Sequence, residues 1–397
     1  MREGWATSPL ASLCTVFADG DWIESKDQSS SGMRLIQTGN VGEGEFKDRS
    51  EKARFISTKT FERLRCTEIS EGDCLISRLP DPVGRACMLP NTGERMITAV
   101  DCTIVRFGKM LPKFFVYYAQ SQQYLQDVGA QCTGTTRNRI SRARLGEILI
   151  PSPSLEEQQR IVAILDEAFA GIASAKANAE KNLQNARELF DIHLQEVFSQ
   201  RGEGWCEKSF ADLCSIESNL VDPRQAEYMD LLHVGGGNIE AKTGDLIGLM
   251  SAKEEGLISG KFLFDETTVL YSKIRPYLMK VVRPNFSGLC SADIYPLTPN
   301  PERITRNFLF YLLLSPQFTE YAIAGSARAG MPKVNREHLF DYRPWVPIPS
   351  VQSALTSQLD AIAESVRALD GVYRRKLAAL DELKQSLLAK AFAGELT

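Results

Sequence analysis

Histidine is scarce in this chain: three in 397 residues, His193, His233 and His338. His193 falls inside a helical periodicity and His233 inside a strand pattern, so few bases remain for acid–base chemistry. The sequence has no Gly-x-x-x-x-Gly-Lys-Ser/Thr loop for a nucleoside triphosphate, and no Asn-Pro-Pro-Tyr or Asp-Pro-Pro-Tyr string for amino methylation. Gly235-Gly236-Gly237-Asn238 lacks the Lys-Ser/Thr ending and reads as a turn after a strand over 229–234. Asp230 with Glu240-Ala241-Lys242 imitates a metal-nuclease spacing, yet Asp21 with Glu24-Ser25-Lys26 repeats the pattern cheaply. A stand-alone nuclease is therefore the weakest reading. No apolar run reaches about 18 residues, and Met1-Arg2-Glu3-Gly4-Trp5 has no apolar signal region, so a cytoplasmic chain without a membrane span is expected. The nine cysteines are never spaced Cys-x-x-Cys and follow apolar neighbours, which predicts buried thiols rather than a disulfide or zinc framework. With 46 basic and 50 acidic residues the net charge is −4, so any nucleic-acid contact must come from local clusters.

The strongest pattern that is present lies in mid-chain. Ile161, Leu165, Phe169, Ile172, Leu183, Phe190, Leu194 and Val197 recur in steps of threes and fours or their multiples, with Ala175, Ala179 and Ala186 between them. That spacing is the seam of a helix packed on another helix. Pro151 and Pro153 delay its start to Ser154, an N-cap, and Glu157 completes a capping box. A helix over 155–198 would be ~66 Å long at 1.5 Å per residue, too long for core filler. A second seam, Leu355, Leu359, Ile362, Val366, Leu369, Tyr373, Leu377, Leu380, Leu383, Leu387 and Phe392, comes after Pro347 and Pro349. Neither helix can bury its stripe alone, so the two are expected to pack as an antiparallel coiled coil.

Before the first helix, 33–37, 74–77 and 102–107 read as strands and 114–126 as a helix. The segment beyond that helix repeats the segment before it. Gly4-Trp5 and Leu13-Cys14 return at Gly204-Trp205 and Leu213-Cys214, both offset by 200. Asn40-Val41 is echoed by Asn238-Ile239, Leu75-Ile76-Ser77-Arg78 by Leu270-Tyr271-Ser272-Lys273, and Phe115-Val116-Tyr117-Tyr118 by Leu309-Phe310-Tyr311-Leu312. Gly134, Ile140 and Arg142 correspond to Gly330, Val334 and Arg336, and Pro151-Ser152-Pro153 to Pro347-Ile348-Pro349. A collinear series of this length is a tandem duplication. The expected architecture is α+β: two tandem globular domains, 1–150 and 202–346, separated by two long antiparallel helices, 151–201 and 347–397, with pseudo-two-fold symmetry.

The string from Ile150 to Ile161, the terminal string from Leu380 to Leu396, and Leu270-Tyr271-Ser272-Lys273-Ile274-Arg275-Pro276-Tyr277-Leu278 resemble conserved segments of the specificity subunits of type I restriction–modification systems. The resemblance covers the whole chain, with one departure: Val351-Gln352-Ser353 lacks the pair at Glu157-Gln158. It implies two target recognition domains, each reading half of a bipartite, asymmetric double-stranded DNA target, with the helices setting the unread gap. It also implies two modification subunits, which bring S-adenosylmethionine and methylate adenine N6, and restriction subunits that use ATP and Mg. No cofactor is expected in this chain, and it is expected to be non-catalytic.

The run Arg137-Asn138-Arg139-Ile140-Ser141-Arg142-Ala143-Arg144 holds four arginines without one acid, downstream of the polar loop Gln131-Cys132-Thr133-Gly134-Thr135-Thr136. Arginines clamp phosphates or fork onto guanine, so Thr135, Arg137, Asn138, Arg139, Arg142 and Arg144 are DNA candidates. The bland alternative is a solvated charged face. A cationic loop recurs in the second copy at Arg328, Lys333, Asn335 and Arg336, which favours DNA. Lys273, Arg275 and Lys280, interleaved with Tyr271 and Tyr277, are joined in the first copy by Arg78 and Arg85. The tyrosines are better read as core. The rival reading from another class is a coiled-coil interaction scaffold with peptide-binding domains, distinguished by whether binding to DNA depends on salt.

Overall fold

The computed structural model describes residues 5–134, 138–200, 202–217, 219–326 and 332–396. The chain divides into two compact units, Met1–Ala179 with Arg374–Thr397, and Glu180–Tyr373. Each long helix is thus divided between the units, whereas the sequence pattern places the borders at the helix ends.

In the first unit the strands are β1 (Ala6–Pro9), β2 (Cys14–Asp19), β3 (Met33–Ile36), β4 (Arg54–Ile56), β5 (Glu68–Ile69), β6 (Cys74–Ser77), β7 (Ala86–Met88), β8 (Met96–Thr98), β9 (Cys102–Phe107) and β10 (Leu149–Ser152). The helices are α1 (Thr58–Leu64), α2 (Pro112–Tyr118), α3 (Gln122–Ala130), α4 (Arg142–Glu147) and the first part of α5 (Leu155–Ser199). One antiparallel sheet has the order β2-β9-β6-β7, a second β4-β3-β8-β5 with β3 and β8 parallel, and β1 pairs with β10. Cys74 and Ile76 join the core cluster beneath α2 and α3, while Leu75 between them joins the cluster that holds Ile36, Cys87 and Ile104. Successive side chains leave a strand on opposite faces, and both faces are covered, so the strand reads as an apolar run without alternation. The single helix expected over 114–126 is two, because the Ser121 hydroxyl accepts the Tyr124 N–H at 3.3 Å and starts α3 afresh.

The second unit repeats this arrangement with β11 (Cys206–Glu207), β12 (Cys214–Ser215), β13 (Leu220–Val221), β14 (Leu232–Val234), β15 (Met250–Ser251), β16 (Lys261–Phe264), β17 (Val269–Ser272), β18 (Val281–Val282), β19 (Gly288–Cys290), β20 (Ile294–Pro299) and β21 (Trp345–Val346). Its helices are α6 (Phe210–Leu213), α7 (Arg306–Leu314), α8 (Pro316–Ala324), α9 (Arg336–Phe340) and the first part of α10 (Pro349–Ala393). The order β12-β20-β17-β18 matches β2-β9-β6-β7, and β15-β14-β19-β16 matches β4-β3-β8-β5 down to its one parallel pair, with β13 added at the edge. The duplication is therefore one of fold as well as of sequence.

Within the first unit, α5 and α10 run antiparallel: Lys176 pairs with Asp381, and Arg160 donates to the Leu396 carbonyl at 2.7 Å. Phe392 wedges between Phe114 and Tyr118, ring centroids 5.4 and 5.0 Å away, so the end of α10 is part of that core. Within the second unit Arg187 pairs with Asp370, and Leu194 and Leu359 enter one cluster with Phe308 and Tyr311.

The helix starts differ from the sequence alignment by two residues. Ser154 accepts the Glu157 N–H at 3.3 Å, as expected, but Pro349 is the first residue of α10 rather than a residue ahead of it. Proline is tolerated in the first turn because its missing N–H has no helical partner there. Pro347 thus takes the place of Pro153, and Gln352 that of Gln158. Gln158 accepts the Leu111 N–H and donates to the Pro153 carbonyl, both at 2.9 Å; Gln352 accepts from Thr305 at 2.7 Å and donates to Arg303 and Pro347 at 2.8 and 2.7 Å.

Candidate nucleic-acid interface

In each unit the described residues that lead into α4 or α9 are seated against the hairpin that follows β6 or β17. The Ile140 N–H donates to the Arg78 carbonyl at 3.3 Å, and the Val334 N–H to the Lys273 carbonyl at 2.9 Å. The Arg275 N–H donates to Pro332 at 2.9 Å, with Arg275 in the left-handed region at φ 52°. The two stretches singled out in each sequence copy are therefore neighbours in space. Ser141 and Asn335 occupy the same position in the two copies as N-caps of α4 and α9, their side chains accepting from Arg144 and His338 at 3.3 and 2.7 Å. Arg142 and Arg336 come directly after these caps, and both are exposed.

The exposed cations are held by acids and carbonyls that sequence reasoning missed. Arg139 pairs with Asp101 at 2.8 Å; Arg142 pairs with Asp19 at 3.3 Å and donates to the Phe17 carbonyl at 2.9 Å. Arg144 donates to the Gln131 carbonyl at 3.3 Å. In the second unit Asp293 takes both Lys273 and Lys333 at 3.4 Å. Lys273 also lies 5.3 Å above the Tyr295 ring, and burial pushes its pKa down. Lys280 donates to the Gly236 carbonyl, Arg336 lies 5.8 Å from the Phe340 ring centre, and Asn138 is exposed. Arg275 is exposed and has no side-chain partner among the described residues. These acids are far apart in sequence from their cations, so no local signal could have found them.

Arg78 and Arg85 must be reassigned. Both are buried. Arg78 donates to the Val100 and Ile140 carbonyls at 2.5 and 3.4 Å and pairs with Asp19 at 3.1 Å. Arg85 donates to Val41, Leu79, Pro82 and Thr38 carbonyls at 2.6, 2.7, 2.9 and 2.8 Å. Arg85 spends its donors on its own chain, and Arg78 is buried with both terminal nitrogens engaged, so neither head group is presented to a phosphate. Arg78 fastens the arginine loop to the hairpin, and Arg85 fastens the 38–41 turn to it. Thr135, Arg137 and Arg328 lie outside the described residues. Tyr271 is buried and packs on Phe318, as core, whereas Tyr277 is exposed. All nine cysteines are free, and no cluster of His, Cys, Asp and Glu among the described residues has the form of a metal site. No helix among them is long and apolar enough to cross a membrane.

Residues 2–184 match the type I restriction modification DNA specificity domain. Over those residues, somewhat under half of the chain, it is similar to the specificity subunits of type I restriction–modification systems. It is 29% identical over 300 residues to the EcoDI specificity subunit of Escherichia coli, a match covering 66% of each chain, just under two thirds of that relative. To the StySPI specificity subunit of Salmonella potsdam it is 22% identical, across 100% of this chain and 90% of the relative. In fold it is similar to the HsdS subunit from Thermoanaerobacter tengcongensis, with a TM-score of 0.56 at 19% identity over 99% and 97% of the two chains. A chain solved in work on complex assembly and conformational transition of the type I R-M system gives a TM-score of 0.78 at 19% identity over 100% and 99%.

Proposed function

We propose that this specificity subunit confers DNA sequence recognition on a type I restriction–modification complex. Each unit reads one half of a bipartite, asymmetric target, and the lengths of α5 and α10 set the gap left unread. Methyl transfer from S-adenosylmethionine to adenine N6, and ATP- and Mg-dependent translocation and cleavage, belong to modification and restriction subunits; this chain supplies the address and not the chemistry. The observation that carries the reading is the same α+β fold built twice in one chain, each copy ending in a cationic turn seated on a hairpin. Two readers of related fold but different side chains suit a target whose halves differ.

The helices support docking of partners. Leu189, Ile192, Leu369, Val372 and Leu383 are exposed along α5 and α10. Apolar side chains left on a helical surface favour association with another protein.

Mapping adenine methylation in cells with and without the gene, partners expressed, tests the reading: one bipartite motif should vanish with the gene. Replacing Arg139, Arg142 and Arg144 together by Ala should weaken DNA binding and reduce its dependence on salt. Inserting whole helical turns into both helices should lengthen the gap and leave both half-sites as they are. A gap that ignores the insertion rules out the ruler.

A further inference from the structure

The two units share a loop staple, built on one asparagine, that carries different chemistry in each. In the first, Asn40 accepts the Gln37 N–H at 2.9 Å and donates to the Lys47 carbonyl at 2.9 Å. In the second, Asn238 accepts the Gly235 N–H at 2.8 Å and donates to the Ile247 carbonyl at 3.0 Å. Even the return bond is matched: Lys47 N–H to Asn40 O at 2.8 Å, and Ile247 N–H to Asn238 O at 2.9 Å. The strand registers carry the correspondence onward, since Leu35 opposes Arg54 where His233 opposes Met250. Seven positions separate Lys47 from Arg54 but three separate Ile247 from Met250, so the first unit has four additional residues here.

Those additional residues build a cationic cleft. Arg49, Lys52 and Arg54 line a space of about 340 Å³ together with Gln37, Thr38 and Gly39, and no carboxylate is among its described lining residues. All three cations are exposed, and none has a hydrogen-bond or ion-pair partner for its head group among the described residues. The Arg49 guanidinium lies against Gly39, where a Cβ would come within 2.6 Å of it, so the cation rests on the turn. Asp48, which could have neutralised the cleft, is instead turned to the buried Arg34. Thr38 and Val41 are tied through Arg85 to the hairpin that also carries the arginine loop. At the same register the second unit presents the exposed apolar side chains Ile247 and Met250.

We infer that the cleft of Arg49, Lys52 and Arg54 is a phosphodiester-binding site that extends the DNA interface of the first unit and has no counterpart at this register in the second. Three unneutralised cations around a polar turn suit a backbone phosphate, and they contact every sequence alike. The consequence is an asymmetry between otherwise equivalent readers: the first half-site is held with more salt-dependent affinity than the second.

The inference rests on the proposed DNA reading, and one experiment separates the two. Full-length chain assembled with its modification subunits is titrated with its duplex target from low to high salt, as wild type, as Arg49→Ala/Lys52→Ala/Arg54→Ala, and as Arg49→Lys/Arg54→Lys. Each phosphate contact contributes about 0.9 to the slope of log K against log salt, so the alanine variant should lose ~2.7 from that slope, on specific and unrelated duplexes equally. The lysine variant should keep it, and Arg95→Ala, which removes a cation lying outside both the cleft and the arginine loop, should change nothing. Wild-type complex that binds no duplex sinks the proposed function. Wild-type binding with an unchanged slope in the alanine variant sinks only the cleft, as does a loss confined to one sequence, which would mean base reading. Displacement of the duplex by inorganic phosphate, beyond the effect of matched ionic strength, would assign the cleft to a free anion instead.

Discussion

Gln352→Met is the substitution from which the structure predicts most. The Gln352 side chain is fully buried at the start of α10 and answers three backbone groups at once: the Thr305 N–H and the Arg303 and Pro347 carbonyls. Thr305 is the N-cap of α7, so the amide closes the turn on which the most buried helix of the second unit begins. Methionine has similar volume and flexibility, so packing changes little while all three bonds are lost. A buried backbone group left unpaired costs about 1–3 kcal/mol, and some relaxation toward water is expected, giving a sum of roughly 3–5 kcal/mol. At ~1.4 kcal/mol per factor of ten, even the lower figure raises local opening by about 100-fold. Hydrogen exchange read by mass spectrometry should show that acceleration in peptides across 300–314, with peptides across 105–118 as the internal control. Gln158→Met, which removes two bonds rather than three, should reverse the pattern at about two thirds of the size. Unchanged exchange at Thr305 would mean that the amide is decoration and that the helix start is held by apolar packing alone.

Tyr311 donates to Asp360 at 2.6 Å and Tyr117 donates to Asp166, the same bond in both units; Tyr311→Phe or Tyr117→Phe should cost about 1.5–3 kcal/mol of stability in urea titrations, as bonds to charged groups do. His233 is held below its ordinary pKa of 6.5 chiefly by burial, against the pull of Glu255 at 3.0 Å. The folded state resists a proton that the unfolded state takes, so stability should fall as pH drops below about 6.5, and His233→Gln should flatten that part of the urea-midpoint profile. Burial pushes the Cys66 and Cys102 thiols up to about 11 and Cys14 to about 12, while Cys206 is exposed. Alkylation of the native chain at neutral pH should therefore mark Cys206 first, and labelling that is even across all nine would contradict the buried-thiol assignment.

Periodicity alone located both long helices, because a seam repeating in threes and fours over more than forty residues is a helical pattern that neither strands nor loops produce. The duplication was equally legible, since collinear matches such as Asn40-Val41 with Asn238-Ile239 survive in the string and reappear as equivalent bonds. Strands 74–77 and 102–107 could be read from composition, although their burial on both faces removed the alternation that normally confirms a strand. The break at Ser121 was missed because the apolar period runs through it, and a capping hydroxyl shows only in three dimensions.

Charge was the property the string could present but not interpret. An arginine is the same letter in the string whether it stands in solvent, as Arg49 does, or spends its donors on four carbonyls, as Arg85 does, and those carbonyls come from residues 38, 41, 79 and 82. Composition and period determined the two helices and the doubled domain, because local propensity and repeat length are written along the chain. Which cations remain free to meet a phosphate was decided by the tertiary fold, because hydrogen-bond satisfaction is settled between residues that only folding makes neighbours.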